Sequence, residues 1–250
     1  MTPLATDLFL GGAGVVAGIT GTAGGITTLV AYPALLAAGI APLAANVTNS
    51  VAMLGTGLGS VSRAAPDITG QGTTIRRWLP VTIAMSAAGA VLLVVTPPGV
   101  FSRVVPFLVA AGALTLLAQP RISRWQQDHQ HAWGRAAVFG ALGGVSVYNG
   151  YFGAGSGILL IALLLLTAEP VLHRANAIKN VLLAASDIAP AVLFAFTGKV
   201  VWTAAIPLGA GTLVGGLIGP SIARRVRHDI LRVLIACTGF ALAAWLLISP

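Results

Sequence analysis

Residues 150–157 read GYFGAGSG, and they interrupt an apolar stretch that runs from about 135 to 167. The segment holds four glycines, Gly150, Gly153, Gly155 and Gly157. In a helix interior each costs roughly 1 kcal/mol relative to alanine. A second such interruption, Gly21-Thr22-Ala23-Gly24-Gly25, divides the apolar stretch from about 5 to 38. Both stretches are too long for one helical crossing of a bilayer, which takes about 20 residues. The remaining apolar runs, near 42–62, 78–96, 101–118, 172–197, 200–222 and 229–249, have the length of single spans.

Composition makes the bilayer the solvent. The 250 residues are 56% hydrophobic and 8% charged, against about 25% charged in soluble domains. The net charge of +8 then reads as arginine-rich cytoplasmic loops rather than a nucleic-acid surface. The single cysteine, Cys237, can form no internal disulfide.

The two interrupted stretches belong to a repeat. A shift of 130 places Gly14 on Gly144, Gly25 on Gly155, Asn46 on Asn176 and Val51 on Val181; with small gaps Trp78 falls on Trp202. The expected architecture is all-α and polytopic, with two repeats of a broken hairpin plus three transmembrane helices, at 1–118 and 135–250, joined by a cytoplasmic link at 119–134. If each interrupted stretch enters and returns, ten basic residues share one side: Arg63, Arg76, Arg77, Arg121, Arg124, Arg135, Arg174, Arg224, Arg225 and Arg227. Arg103 and Lys199 stand opposite. If each crosses once, the division is seven against five, which is no bias. The positive-inside asymmetry favours the hairpin, which makes the halves inverted and sets both termini outside. It does not separate a re-entrant hairpin from two short full crossings.

Two explanations fit the glycines. Gly153 and Gly157 have the small-xxx-small spacing that lets membrane helices approach closely. Alternatively, each break starts a half-helix whose free N–H groups and positive dipole end face an anion. On the second reading the candidate contacts are Gly24, Gly25, Gly155, Ser156 and Gly157, with Asn46, Asn49, Asn176, Lys179 and Asn180 from the spans after each break. The asparagines could equally bind helix to helix. Lys179 takes the place of Asn49 in the repeat, and an intramembrane ammonium needs compensation from an anion, from Asp187, or by snorkelling to the surface. Asp187 lies seven residues after Asn180, on the same helical face, and is the coupling candidate.

Catalysis has little support. Ser156 is the one apparent nucleophile, and His129, His131, His173 and His228 fall in expected loops, away from it. No metal or other cofactor is expected.

Two stretches, GITGTAGGITTLVAYPALLAAGIAPLAANVTNSVAML (18–54) and GYFGAGSGILLIALLLL (150–166) followed by RANAIKNVLLAASD (174–187), resemble the repeat signatures of the TauE/SafE sulfite exporter family. The likeness extends to VVWTAAIPLGAGTLVGGLIGPSIARRV near the end. It implies an inner-membrane secondary transporter of sulfur-containing anions such as sulfite, sulfoacetate or other organosulfonates, ion- or proton-coupled. Asp187 departs from the asparagine expected at that point of the second repeat, which bears on the coupling ion. A passive anion channel, or a carrier of a non-sulfur organic anion, is the alternative. The expected partners are a small anion, the lipid bilayer and a second copy of the chain in a homodimer; nucleic acid is not among them.

Overall fold

The computed structural model describes residues 2–64, 67–128, 134–223 and 228–248. All regular structure among them is helical: α1 Pro3–Gly24, α2 Thr27–Ala37, α3 Pro42–Ala64, α4 Gly72–Val95, α5 Pro98–Asp128, α6 Arg135–Tyr151, α7 Ser156–Thr167, α8 Leu172–Ala195, α9 Trp202–Ala223 and α10 His228–Ile248. Proline opens α1, α3 and α5, where its fixed φ suits the first turn and its missing N–H is no loss. Thr2 caps α1 by accepting from the Ala5 N–H at 3.3 Å.

Among the described residues, five helices are long and apolar enough to cross a membrane: Pro3–Gly24, Gly72–Val95, Pro98–Ile122, Leu172–Ala195 and Trp202–Gly219. The run at 42–62, expected to be a span, is not in this group. Its helix, α3, carries Asn46, Thr48, Asn49, Thr56 and Ser60, all buried. These side chains face protein, so one face of α3 is enclosed without being apolar, while Leu58 and Val61 near its end face outward. Large apolar side chains cover much of the outer surface, with Leu58, Phe107 and Ile206 each more than 60% exposed. Such a surface suits lipid contact, and the closed helices satisfy their own backbones.

The predicted breaks fall where the glycines are. Gly25 ends α1 in the left-handed region at φ 73°, its N–H donating to the Gly21 carbonyl at 2.7 Å. The second break uses two left-handed residues, Gly153 and Gly155, both at φ 78°. Only glycine adopts this conformation without steric cost, which explains why weak helix formers sit inside apolar segments.

Helix directions follow from close contacts. Gly14 and Gly18 of α1 pack on Leu208–Thr212 and Thr212–Gly216 of α9, in the same chain direction. On α3, Gly55 and Gly59 meet Gly209–Leu213 and Leu213–Leu217 of α9, again in parallel. Since α1 and α3 both run with α9, the short α2 between them must return. In the second half, Thr167 and Ala168 at the end of α7 line one surface cavity with Arg77 at the start of α4 and Arg135 at the start of α6. So α7 also returns to the side on which α6 began.

The tips of the two hairpins meet in the interior. Gly25 and Gly157 are both buried and lie backbone to backbone, so that a Cβ on either would overlap the other. The apolar core surrounds this contact, with Tyr32 and Phe152 in an edge-to-face pair at 5.2 Å.

Two boundaries differ from the sequence reading. The polar link was expected from Gln119, but α5 continues through Pro120 to Asp128. Hydropathy marks where an apolar span ends, whereas a helix stops only where the backbone is turned, and no glycine does so here. His173 sits in the first turn of α8 and His228 is the first residue of α10, rather than in loops. Arg224, Arg225, Arg227, His129 and His131 lie outside the described residues.

Candidate functional site at the meeting of the helix breaks

Each broken helix ends against the opposite half of the chain. Asn46 of α3 donates its Nδ2 to the Tyr151 carbonyl, the last of α6, at 2.9 Å. Asn176 of α8, its counterpart in the repeat, donates to the Thr22 carbonyl near the end of α1 at 3.0 Å. The carbonyls of a helix's last turn have no partner within the helix, so these amides supply what the break removed. The two contacts are reciprocal, each half closing the other's break.

Lys179 joins the second of them. Its Nζ donates to the Gly21 carbonyl at 3.0 Å and to that of Thr22 at 3.4 Å, and the side chain is fully buried. A cation at the negative end of α1 is favourably placed. This partner is neither of the buried ones weighed from sequence, and the position excludes snorkelling to the surface. Asp187 does not pair with Lys179; its Oδ1 accepts from Asn149 Nδ2 at 2.7 Å. Asn149 Oδ1 in turn accepts from Ser156 Oγ at 2.6 Å.

Beside the tips is a small cavity of about 30 Å³, lined among others by Gly21, Gly25, Thr56, Ser60, Ser156, Lys179, Asn180 and Asp187. That is room for about two waters. Four of the ten expected contacts, Gly25, Ser156, Lys179 and Asn180, line it, as does Asp187. The other six stand apart from it. Asn46 and Asn176 close helix ends, and Asn49 donates to Thr28 Oγ1 at 3.3 Å. Gly157 is occupied by Gly25, Gly155 faces Gly112 of α5, and a Cβ on Gly24 would meet nothing closer than 3.9 Å. Two N–H groups at the start of α7 already have partners: Ser156 donates to the Gly153 carbonyl and Ile158 to that of Gly155.

The residues that sequence reasoning passed over are Thr56, Ser60 and Asn149. A signal for the first two exists, since Asn49, Met53, Thr56 and Ser60 follow one another at helical spacings of three and four. Thr56 is 9% exposed and its hydroxyl has no partner, which is uncommon for a buried polar group. Thr56 also stands on the cavity wall. An ammonium carries three donors, and Lys179, which lines the cavity, directs its bonds at two carbonyls, so one donor has no protein partner. No cluster of three metal-binding side chains occurs among the described residues.

Membrane-length helices packed around a small cavity lined in part by polar side chains fit a multi-pass membrane transporter, and the comparisons name the kind. The chain belongs to the TauE/SafE sulfite exporter family, whose profile matches residues 8–246. It is 29% identical over 248 residues to the probable membrane transporter protein ORF9 of a Sinorhizobium species, covering 97% of this chain and 92% of that one. It is 27% identical over 240 residues to the probable membrane transporter protein YfcA of Escherichia coli strain K12, covering 94% and 86%. A probable membrane transporter protein of Haemophilus influenzae is 24% identical over 221 residues, covering 86% and 84%. No solved structure matches the chain.

Proposed function

We propose that the protein is a secondary transporter of the cytoplasmic membrane that carries a small sulfur-containing anion, sulfite or an organosulfonate, through the cavity between its hairpin tips. The observation that carries this reading is the convergence of the buried Lys179 ammonium and the unpartnered Thr56 hydroxyl on one cavity. Together they offer a positive charge and a hydrogen-bond donor to an oxyanion, in a site from which most water is excluded. The sulfur chemistry comes from the family description, and the geometry supplies the sign of the charge.

The present cavity is too small for a sulfonate, so loading requires the tips to part. The parallel run of α1 along α9, and that of α4 along α6, in which Arg77 lies near Arg135 and Gly89 meets Val147 and Tyr151, support reading residues 1–118 and 135–250 as inverted halves that move against each other, with 119–134 between them. Transport fits Ser156 better than catalysis does. Its hydroxyl donates to the neutral Asn149 amide, which cannot take a proton as a general base must.

The test is Thr56→Val in lipid nanodiscs, with sulfite and ethanesulfonate as ligands. Because the hydroxyl has no protein partner, its removal should leave the melting temperature unchanged or slightly higher. Affinity should fall about tenfold, or about 1.4 kcal/mol. Equal affinity for variant and wild type would remove the anion from this cavity.

A further inference from the structure

Three residues of the second half form a continuous chain. Ser156 Oγ donates to Asn149 Oδ1 at 2.6 Å, and Asn149 Nδ2 donates to Asp187 Oδ1 at 2.7 Å. Ser156 is 2% exposed, and both it and Asp187 line the cavity while Asn149 stands between them on α6. The polarity of the chain is fixed by its acidic end. A carboxylate can only accept, so the amide must turn its NH₂ toward Asp187 and its oxygen toward Ser156. Ser156 has one hydroxyl proton, and Asn149 holds it. In this arrangement the serine presents lone pairs to the cavity, alongside a carboxylate charge. Both repel an anion.

We propose that Asn149 is the positioning residue of a hydrogen-bond relay that couples protonation of Asp187 to anion binding at Ser156. One proton from water binds an Asp187 carboxylate oxygen, and no other covalent bond forms or breaks. The protonated Asp187 becomes a donor, and the Asn149 amide turns over by half a turn to offer its oxygen. Its NH₂ group then donates to Ser156 Oγ. The serine proton is released from Asn149 and donates into the cavity, next to the start of α7 and the Lys179 ammonium. Protonation thus removes a negative charge and supplies a hydrogen-bond donor to the same ligand. Anion and proton are bound together, so the carrier moves them in the same direction.

The surrounding groups leave Asp187 as the titrating member. Among the described residues, Lys179, on the same helix, is the only other ionisable one on the cavity wall. The residues that α1, α3 and α7 contribute to that wall are neutral: Gly21, Met53, Thr56, Ser60 and Ser156 among them. On α6, Tyr148 commits its hydroxyl to the Ala154 carbonyl at 2.7 Å. The charges of α4, Arg76 and Arg77, lie at its start, where Arg77 lines the surface cavity with Arg135.

This inference rests on the anion reading above, and the experiment separates the two. Ethanesulfonate binding to the full chain in nanodiscs is measured from acid to alkaline pH, together with protons taken up per anion bound. Ethanesulfonate keeps the same charge throughout, so any pH dependence belongs to the protein. Wild type should bind more tightly as pH falls and take up protons on binding. Asp187→Asn should bind with pH-independent affinity and take up none. Ser156→Ala should lose about tenfold in affinity on the acid side and nothing on the alkaline side, where its hydroxyl faces Asn149. Asn149→Leu frees the serine hydroxyl at every pH, so it should weaken the pH dependence, and Ser156→Ala added to it should cost the same at both extremes. Binding by wild type without pH dependence or proton uptake would overturn the relay and leave the anion reading intact. An equal loss at both pH extremes in Ser156→Ala would also overturn it, since a merely structural serine behaves so. Absence of binding by wild type at any pH would overturn both.

Discussion

The two hairpins occupy equivalent places in the repeat but are chemically unlike. The first turns on one left-handed glycine, Gly25, while the second uses two, Gly153 and Gly155, in a longer unwound segment. The end of α6 is closed by Asn46 alone, whereas the end of α1 is closed by Asn176 and Lys179 together. The difference is sharpest in the polar network. The counterparts of Asn149, Ser156 and Asp187 under the shift of 130 are Ile19, Ile26 and Gly57. Duplication thus reproduces the backbone device, a glycine break closed by the other half's asparagine. The ionisable chemistry belongs to the second half alone. The tips meet beside one cavity, and Lys179 and Asp187 on its wall both come from the second half.

The comparison breaks first at the tips. Gly25→Val forces a β-branched residue into the left-handed region and into the Gly157 backbone. The penalties of about 1–2 kcal/mol for the conformation and about 1–3 kcal/mol for overpacking should abolish monodisperse protein in fluorescence-detected size exclusion. Its neighbour Gly24, with open space around it, should accept alanine with a change of melting temperature near zero. A Gly25→Val protein that stays monodisperse would show that the tips do not need their contact.

Smaller effects are expected at the helix-end contacts. Asn46→Ala leaves the α6 end without its side-chain partner and should cost about 1–3 kcal/mol, read as a lower melting temperature in detergent. Asn176→Ala should cost less, because Lys179 still reaches the Thr22 carbonyl at 3.4 Å. The reverse order would mean that Lys179 does not share the load. The smallest change is expected at Asn49, the counterpart of Lys179. Its amide meets only Thr28 and the Met53 sulfur, at 3.3 and 3.4 Å. Asn49→Leu should shift stability by less than about 1 kcal/mol and leave ethanesulfonate affinity unchanged. A loss of affinity there would return Asn49 to the site.

Much of this was legible before any coordinates. The excess of apolar residues and the positions of both glycine breaks already described a helical membrane protein with two interrupted helices. Which polar residues face the cavity was less legible. Asn46 and Asn176 stand out because they are polar in apolar segments, and that property fits closing a helix end as well as binding a ligand. Thr56 drew no notice because a threonine in a membrane helix ordinarily bonds its own backbone. Only the absence of that bond makes it informative.

The sequence by itself determined the solvent, the repeat and the places where helices must break, since composition and glycine content act locally along the chain. Tertiary structure alone decided the partners. Gly25 meets Gly157 across 132 positions, Lys179 reaches back to Gly21, and Asn149 joins Ser156 to Asp187. The physical reason is that a buried donor or acceptor must be satisfied by something, but helix periodicity specifies only the face on which it lies. What stands opposite that face is set by how the two halves pack, and by the backbone approach that glycine permits at their contact.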